Sequence, residues 1–331
     1  MIAVPGRWGR SSLAAKLLEA YRRTGADPPF GDPLAAHGVA MEGWYWRLTD
    51  AAAGRVVVAL CGVCRPRRGE SWALVALAAH PGGLVREEIV SAPTVGREGL
   101  EAGSSLRAGP NRLELRLGGD EVDVRLREPT RWPRRAFGGL GPAGALPGLS
   151  QYWHPHLLGA RVEGRASLGG EEIDLGGATA YGEKNWGTGF PDRWWWGQAH
   201  GFDRPDACVA FAGGQVAIGP VGLGSASAIV VRVGDEVARL GPPGALVSAS
   251  ADGRGWRLRG RGPRYAVELE GESNGTLSHS LPVPIPQERR TEPGAEQHLA
   301  GLVRVELRRG RRTVWRDSSQ LAGLERGTAA G

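Results

Sequence analysis

The chain has 331 residues, enough for one large β-domain or two of ordinary size. Hydrophobic residues make up 41%, so a core can be buried, and 53 glycines with 23 prolines in no repeating pattern imply many turns between short strands. The net charge of +6 is carried by scattered arginines, with Lys16 and Lys184 the only lysines, a bias expected of a GC-rich genome. Neither a basic stripe nor a nucleic-acid-binding signature is present, so no nucleic-acid partner is expected.

No apolar run reaches the roughly 18 residues a spanning helix needs. Residues 1–10 lack the apolar core of a secretory signal, so a cytoplasmic location is expected. Three cysteines give no even disulfide framework.

Along the chain, residues 11–23 (SSLAAKLLEAYRR) are the one good helix, with Leu13, Leu17, Leu18 and Tyr21 on an apolar stripe and a basic opposite face. Packing on the body is the expected use of that stripe, and docking on a membrane surface is the alternative. A Pro/Gly linker covers 25–38. Strand-length β-rich runs follow at 55–63, 72–79, 112–117, 122–126, 228–233, 265–269 and 303–307. Short strands at this spacing imply a barrel or sandwich. The run FGGLGPAGALPG at 137–148 divides the chain into a leading segment (1–34) and two β-domains, 35–148 and 149–331. Residues 285–294 read as a second, polar loop.

Cys61-Gly62-Val63-Cys64 has the spacing of a metal or redox pair. It ends a strand, however, and positions three apart in a strand face opposite sides of the sheet. The two thiols are expected to diverge, and no metal site is predicted.

Three runs carry the candidate site. In Met41-Glu42-Gly43-Trp44-Tyr45-Trp46, strand alternation puts Glu42, Trp44 and Trp46 on one face and Tyr45 on the other. A carboxylate beside two indoles suits a pocket; core packing with a Glu42–Arg pair is the plainer alternative. In Tyr181-Gly182-Glu183-Lys184-Asn185-Trp186-Gly187, Tyr181, Glu183 and Asn185 share a face and could form a hydrogen-bonded acid, or a polar cluster that steadies a turn. In Trp194-Trp195-Trp196-Gly197-Gln198, Trp194, Trp196 and Gln198 share a face. Six of the twelve tryptophans lie between 132 and 196, alongside His154 and His156. Aromatic faces stabilise cations and build apolar pockets with few polar groups.

MEGWYWR, YGEKNWGTGFPDRWWWGQAHGF and LAGLERG, in that order, resemble the pattern of the tocopherol cyclase family. The segments YWHPHLLGARVEG and LPVPIP also sit where that family places comparable ones. The resemblance covers about residues 37–326. It implies an all-β, double lipocalin-like barrel with a short N-terminal helix. It also links the chain to carotenoid hydratases and to lipocalin-like cyclases of natural-product pathways. The family's acid is the carboxylate two residues after the tyrosine, which implies Glu183 and Tyr181 as catalytic here. Substrate contacts would come from Glu42, Trp44, Trp46, Asn185, Trp186, Trp194, Trp196 and Gln198. A hydratase histidine upstream corresponds in region to His154 or His156. Arg326 departs from the small residue usual in the family's closing motif.

The implied chemistry protonates a prenyl alkene, and a hydroxyl traps the tertiary cation to close a ring, with no cofactor and no metal. If water is the trap, the same cation gives a hydratase. A non-catalytic binder of lipophilic molecules is the competing reading, because fold alone does not fix function. An enzyme should place Glu183 inside an aromatic cavity near Tyr181. A carrier could leave it in solvent or locked to an arginine. The expected partner is a lipophilic small molecule, with peripheral membrane contact as a further expectation and no protein partner inferred.

Overall fold

The computed structural model describes residues 13–23, 29–30, 39–133, 136–253 and 255–328. Apart from α1 (Leu13–Arg23) and a short 3-10 turn over Gly141–Ala145, its regular structure is strand. The chain is all-β and lipocalin-like, as expected.

The first sheet holds β1 (Met41–Asp50), β2 (Arg55–Cys64), β3 (Trp72–His80), β4 (Leu84–Ser91), β5 (Thr94–Val95), β6 (Leu100–Ala102), β7 (Leu106–Gly109), β8 (Arg112–Leu117), β9 (Asp120–Arg131), β10 (Gln151–Leu168), β11 (Glu171–Asp174) and β12 (Thr179–Gly187). The second holds β13 (Arg193–Ala199), β14 (Ala207–Ile218), β15 (Val221–Val233), β16 (Glu236–Leu240), β17 (Leu246–Asp252), β18 (Gly255–Arg261), β19 (Tyr265–Glu272), β20 (Ser278–Ile285), β21 (Arg290–Arg309) and β22 (Arg312–Thr328). Strand order in the first is β4-β3-β2-β1-β12-β10-β9-β8-β7-β6-β5, with β11 on β10. In the second it is β16-β15-β14-β13-β22-β21-β19-β18-β17, with β20 on β21.

The break between sheets falls between Gly187 and Arg193, and does not coincide with the 137–148 linker. Strands β10 and β12 return to the first sheet, where β12 pairs with β1 and β10. A glycine-rich run marks a change of direction, whereas sheet membership is decided by which edge the next strand meets. Residues 285–294 likewise contribute to a hairpin, with Ile285 ending β20 and Arg290–Gly294 opening β21. Their alternating charges suit a solvated strand as well as a loop.

Three apolar layers result. Trp44, Trp46, Val57, Val75, Leu115 and Val162 belong to the core inside the first curled sheet. Phe211, Ile229, Trp256, Leu269 and Val305 belong to that of the second. Tyr45, Trp153, Tyr181, Trp194, Trp196 and Leu299 lie in a third layer between the sheets. A simple lipocalin holds its ligand inside one barrel. Here both interiors are filled by their own side chains, which leaves the space between the sheets for a ligand.

Buried Arg47 ties the layers together. It shares a face of β1 with Tyr45, and its guanidinium donates to the carbonyls of Leu299 on β21 (2.8 Å) and Leu321 on β22 (2.6 Å). Cys61 lies in the first core and Cys64 in a separate cluster with Met41 and Trp72, so the thiols do diverge. Burial pushes Cys64 up to about 12. Of the apolar residues expected to dock α1, only Leu18 and Tyr21 pack. Leu13 and Leu17 are exposed, and the serines preceding them lie outside the described residues. No helix among the described residues is long and apolar enough to cross a membrane.

Candidate active site between the sheets

Register sets the site. Strands β1 and β12 pair with Gly43 opposite Asn185, Tyr45 opposite Glu183 and Arg47 opposite Tyr181. On β10, Trp153 stands opposite Asn185. In the second sheet, Glu325 stands opposite both Trp196 on β13 and Gln297 on β21, and Gly327 opposite Trp194. Each set alternates in phase, so these side chains project into the layer between the sheets.

The layer encloses a cavity of about 340 Å³, within the range of ligand pockets. Its polar groups include Glu183, Asn185, Gln151 and Glu325; its apolar wall includes Leu60, Leu74, Phe190 and Val283. Gly43 makes room for one of the polar groups, because a Cβ there would come within 2.9 Å of Asn185 Oδ1. The buried oxygens Asn185 Oδ1 and Gln151 Oε1 have no hydrogen-bond partner among the described residues.

Glu183 is 3% exposed and accepts three hydrogen bonds, all on Oε2. The donors are Tyr181 Oη–H (2.5 Å), Trp153 Nε1–H (2.8 Å) and Trp196 Nε1–H (2.9 Å). They come from β12, β10 and β13, so both sheets contribute. Burial raises the Glu183 pKa to about 7, partly opposed by the three donors. No arginine or lysine is ion-paired with it among the described residues.

Glu325 on β22 is a second buried carboxyl in the same cavity. Its Oε1 accepts from Trp194 Nε1–H (2.6 Å) and its Oε2 from Gln297 Nε2–H (2.7 Å). Tyr45 Oη–H donates in turn to Gln297 Oε1 (3.1 Å). Burial raises the Glu325 pKa to about 7 as well, and the neighbouring Glu183 charge adds to the rise.

The other residues named from the sequence lie elsewhere, and strand parity explains most of them. Glu42, Trp44, Trp46 and Trp186 occupy the opposite phase and face the other side of the first sheet. Glu42 lies 3.6 Å from both Lys184 Nζ and Arg65 Nη1, in a buried charge cluster. Trp44 borders the cavity, but its indole stacks on Phe30 and donates to the Pro29 carbonyl (2.7 Å). Trp46 packs in the first core. Trp186 stacks parallel on Tyr152 at 5.2 Å. His154 meets Trp132 edge-on, and its Nδ1 faces the Gly139 N–H at 3.4 Å. Burial holds His156 well below the usual histidine range. Gln198 lies outside the cavity lining, bonded to His200 Nδ1 at 3.1 Å. Of the named set, Glu183, Asn185, Trp194 and Trp196 line the cavity together, Tyr181 joins them through its bond to Glu183, and Trp44 lies at the border.

Tyr45, Trp153, Gln297 and Glu325 complete the site without having been singled out. Tyr45 carried a signal in the alternation, as the aromatic opposite in phase to Trp44 and Trp46. Glu325 lay in a quoted motif, but nothing local shows that β22 runs beside β13.

Residues 141–328 match the model of the tocopherol cyclase-like family. The chain is similar to a chloroplastic protein of Oryza sativa subsp. japonica described as a probable tocopherol cyclase, 32% identical over 133 residues, which cover 38% of this chain and 28% of that one. The tocopherol cyclase of Zea mays is 29% identical over the same length. The match thus spans little more than a quarter of either relative. Among solved structures, CghA with Sch210972 superposes with a TM-score of 0.57 at 10% identity, over 88% of this chain and 89% of that one. Kievitone hydratase from Nectria haematococca gives 0.50 at 13% identity, over 93% and 92%. These likenesses establish the fold. With the whole second sheet, the β10–β12 part of the first and both cavity carboxyls inside the matched stretch, the chain belongs to the tocopherol cyclase-like family.

Proposed function

We propose that the cavity protonates an alkene of a lipophilic, prenyl-bearing substrate, so that an internal hydroxyl captures the cation and closes a ring. The observation that carries this reading is the hydrogen bonding of Glu183. Three donors crowd Oε2 and leave Oε1 to carry a proton. An ordinary glutamate is ionised at neutral pH, whereas a carboxyl with a pKa of about 7 is protonated about half the time. After transfer the carboxylate keeps all three donors, so the conjugate base is stabilised where it forms.

The surroundings suit a carbocation. Aromatic rings of Tyr45, Trp153, Trp194 and Trp196 line the space, and their faces attract positive charge. The apolar wall excludes water that would intercept the cation. The relatives' printed names, tocopherol cyclase and kievitone hydratase, belong to this kind of chemistry and support an enzyme over a carrier. So does the location of Glu183, buried beside aromatics and free of arginine.

The unpartnered Asn185 and Gln151 oxygens would position a hydroxyl group. That hydroxyl belongs to the substrate in a cyclase and to water in a hydratase. Where the cavity reaches the surface, its lining includes exposed Leu146, Ile218 and Leu223. Entry of substrate from a lipid surface is part of this reading.

Incubation with prenylated hydroquinones, followed by chromatography and mass spectrometry, tests the proposal. Ring closure changes retention and leaves mass unchanged, whereas hydration adds one water. A protein that binds these compounds and returns them unaltered is a carrier.

A further inference from the structure

We infer that Glu325 is the proton acceptor of the reaction, taking the proton of the hydroxyl whose oxygen captures the cation. This rests on the reading of Glu183 as the proton donor.

The two carboxyls share one cavity but are held differently. Glu183 has three donors on one oxygen and a bare second oxygen, which is the arrangement of a carboxylic acid with its proton aimed outward. Glu325 has one donor on each oxygen. That suits an ionised carboxylate, which accepts at both oxygens and keeps lone pairs for a further proton. Its donors are an indole N–H and an amide N–H, both neutral. They fix its orientation without the charge neutralisation an arginine would bring, so the carboxylate stays basic. Glu42, the other buried carboxyl of this region, differs on both counts: it faces away from the cavity and sits beside two cations.

Like charges confined to one apolar space resist joint ionisation, so near neutral pH the pair holds one proton. Only Glu183 has an oxygen, Oε1, that no donor approaches among the described residues, so the shared proton fits there. Turnover then balances. The Glu183 Oε1–H bond breaks as a C–H bond forms on the alkene. The hydroxyl oxygen forms a C–O bond with the resulting cation, its O–H bond breaks, and the proton passes to Glu325. Both carboxyls re-equilibrate with solvent when product leaves, and the net proton change is zero.

The test compares parent, Glu183→Gln and Glu325→Gln with a prenylated hydroquinone in D2O, following both product and deuterium in recovered substrate. The parent should give a ring carrying one deuterium. Glu183→Gln should lose product and deuterium uptake together. Glu325→Gln should lose product by about 10²-fold or more while recovered substrate still gains deuterium. Its cation forms, finds no acceptor for the hydroxyl proton, and collapses back to alkene. Glu325→Asp, which keeps the carboxylate, should recover part of the rate, and quenching of tryptophan fluorescence by substrate checks that each variant is folded and binds. Parent-like turnover in Glu325→Gln overturns the assignment. So does loss of deuterium uptake along with product in that variant, because Glu325 would then only stabilise the cation. A parent that forms neither product nor deuterated substrate overturns the protonation reading itself.

Discussion

Tyr45 on β1 and Glu183 on β12 stand directly opposite each other, and their side chains project into the same space between the sheets. One hydrogen-bond chain leads from Tyr45 through Gln297 to Glu325, while Glu183 gathers its three donors nearby. The pairing therefore brings two carboxyls from distant parts of the sequence to one cavity. Glu183→Gln keeps size and shape but has no proton to give, so turnover should fall about 10²–10⁴-fold with binding retained. Tyr181→Phe removes one of three donors and should cost less. Steady-state kinetics with a prenylated hydroquinone decides, and parent-like turnover in the Gln variant rejects Glu183 as the acid.

Burial and their mutual repulsion raise the pKa of both carboxyls above the ordinary glutamate value of 4.5 in the folded protein. The native state therefore holds their protons more tightly than the unfolded chain does. Their contribution to stability is fully present below about pH 4.5 and is lost as pH rises through about 7. Glu325→Gln should therefore raise Tm relative to the parent at about pH 8.5 and have little effect at about pH 4.5. Thermal unfolding at the two pH values measures this, and an equal effect at both contradicts it.

Activity should follow the same protonation. Turnover by a protonated Glu183 declines as pH rises through about 7. Trp196 lowers that pKa by donating to Oε2. Trp196→Phe keeps a ring face toward the cation and removes the N–H, so the alkaline limb of kcat should move to higher pH. An unmoved limb means that Trp196 does not tune Glu183.

The fold was legible because its signals are local. Strand-length β-rich runs such as 55–63 and 112–117 recur as β2 and β8, bounded by turn residues. Alternation also grouped Tyr181 with Glu183 and Glu42 with Trp44 and Trp46. It could not tell which group faces a ligand, because both faces of β1 and β12 are buried. With no polar face to mark the outside, parity gives two candidate pockets, and only the approach of the second sheet selects one. Glu325 and Gln297 were out of reach for the same reason. Their place beside Trp194 and Trp196 depends on β22 lying between β13 and β21.

The cavity mouth makes a prediction about substrate delivery. Val221 and Leu223 lie at or near the start of β15 and are 61% and 56% exposed, with Ile218 across the turn. Exposed apolar side chains clustered at a lipophilic cavity suit a lipid surface. Val221→Asp should slow turnover of substrate supplied in phospholipid vesicles and leave turnover in detergent micelles near the parent rate. Equal slowing in both would place the effect inside the cavity.

Gly327 supports the Glu325 side of the site from behind. It pairs with Trp194 on β13 and with Ala295 on β21, and a Cβ at this position would overlap the six-membered ring of the Trp194 indole. The absence of a side chain lets that ring lie over the strand and reach Glu325 Oε1 at 2.6 Å. Gly327→Ala must move the indole, because the backbone that would carry the new Cβ is held in pairings to the strands on both sides. Overpacking of this kind costs about 1–3 kcal/mol. The displaced indole would also stop donating to Glu325, whose pKa that donor lowers. The variant should therefore show a lower urea midpoint together with a slower reaction, and Trp194→Phe should reproduce the kinetic loss with less of the stability loss. If Gly327→Ala matches the parent in both measurements, the indole has another place to rest and its bond to Glu325 is dispensable.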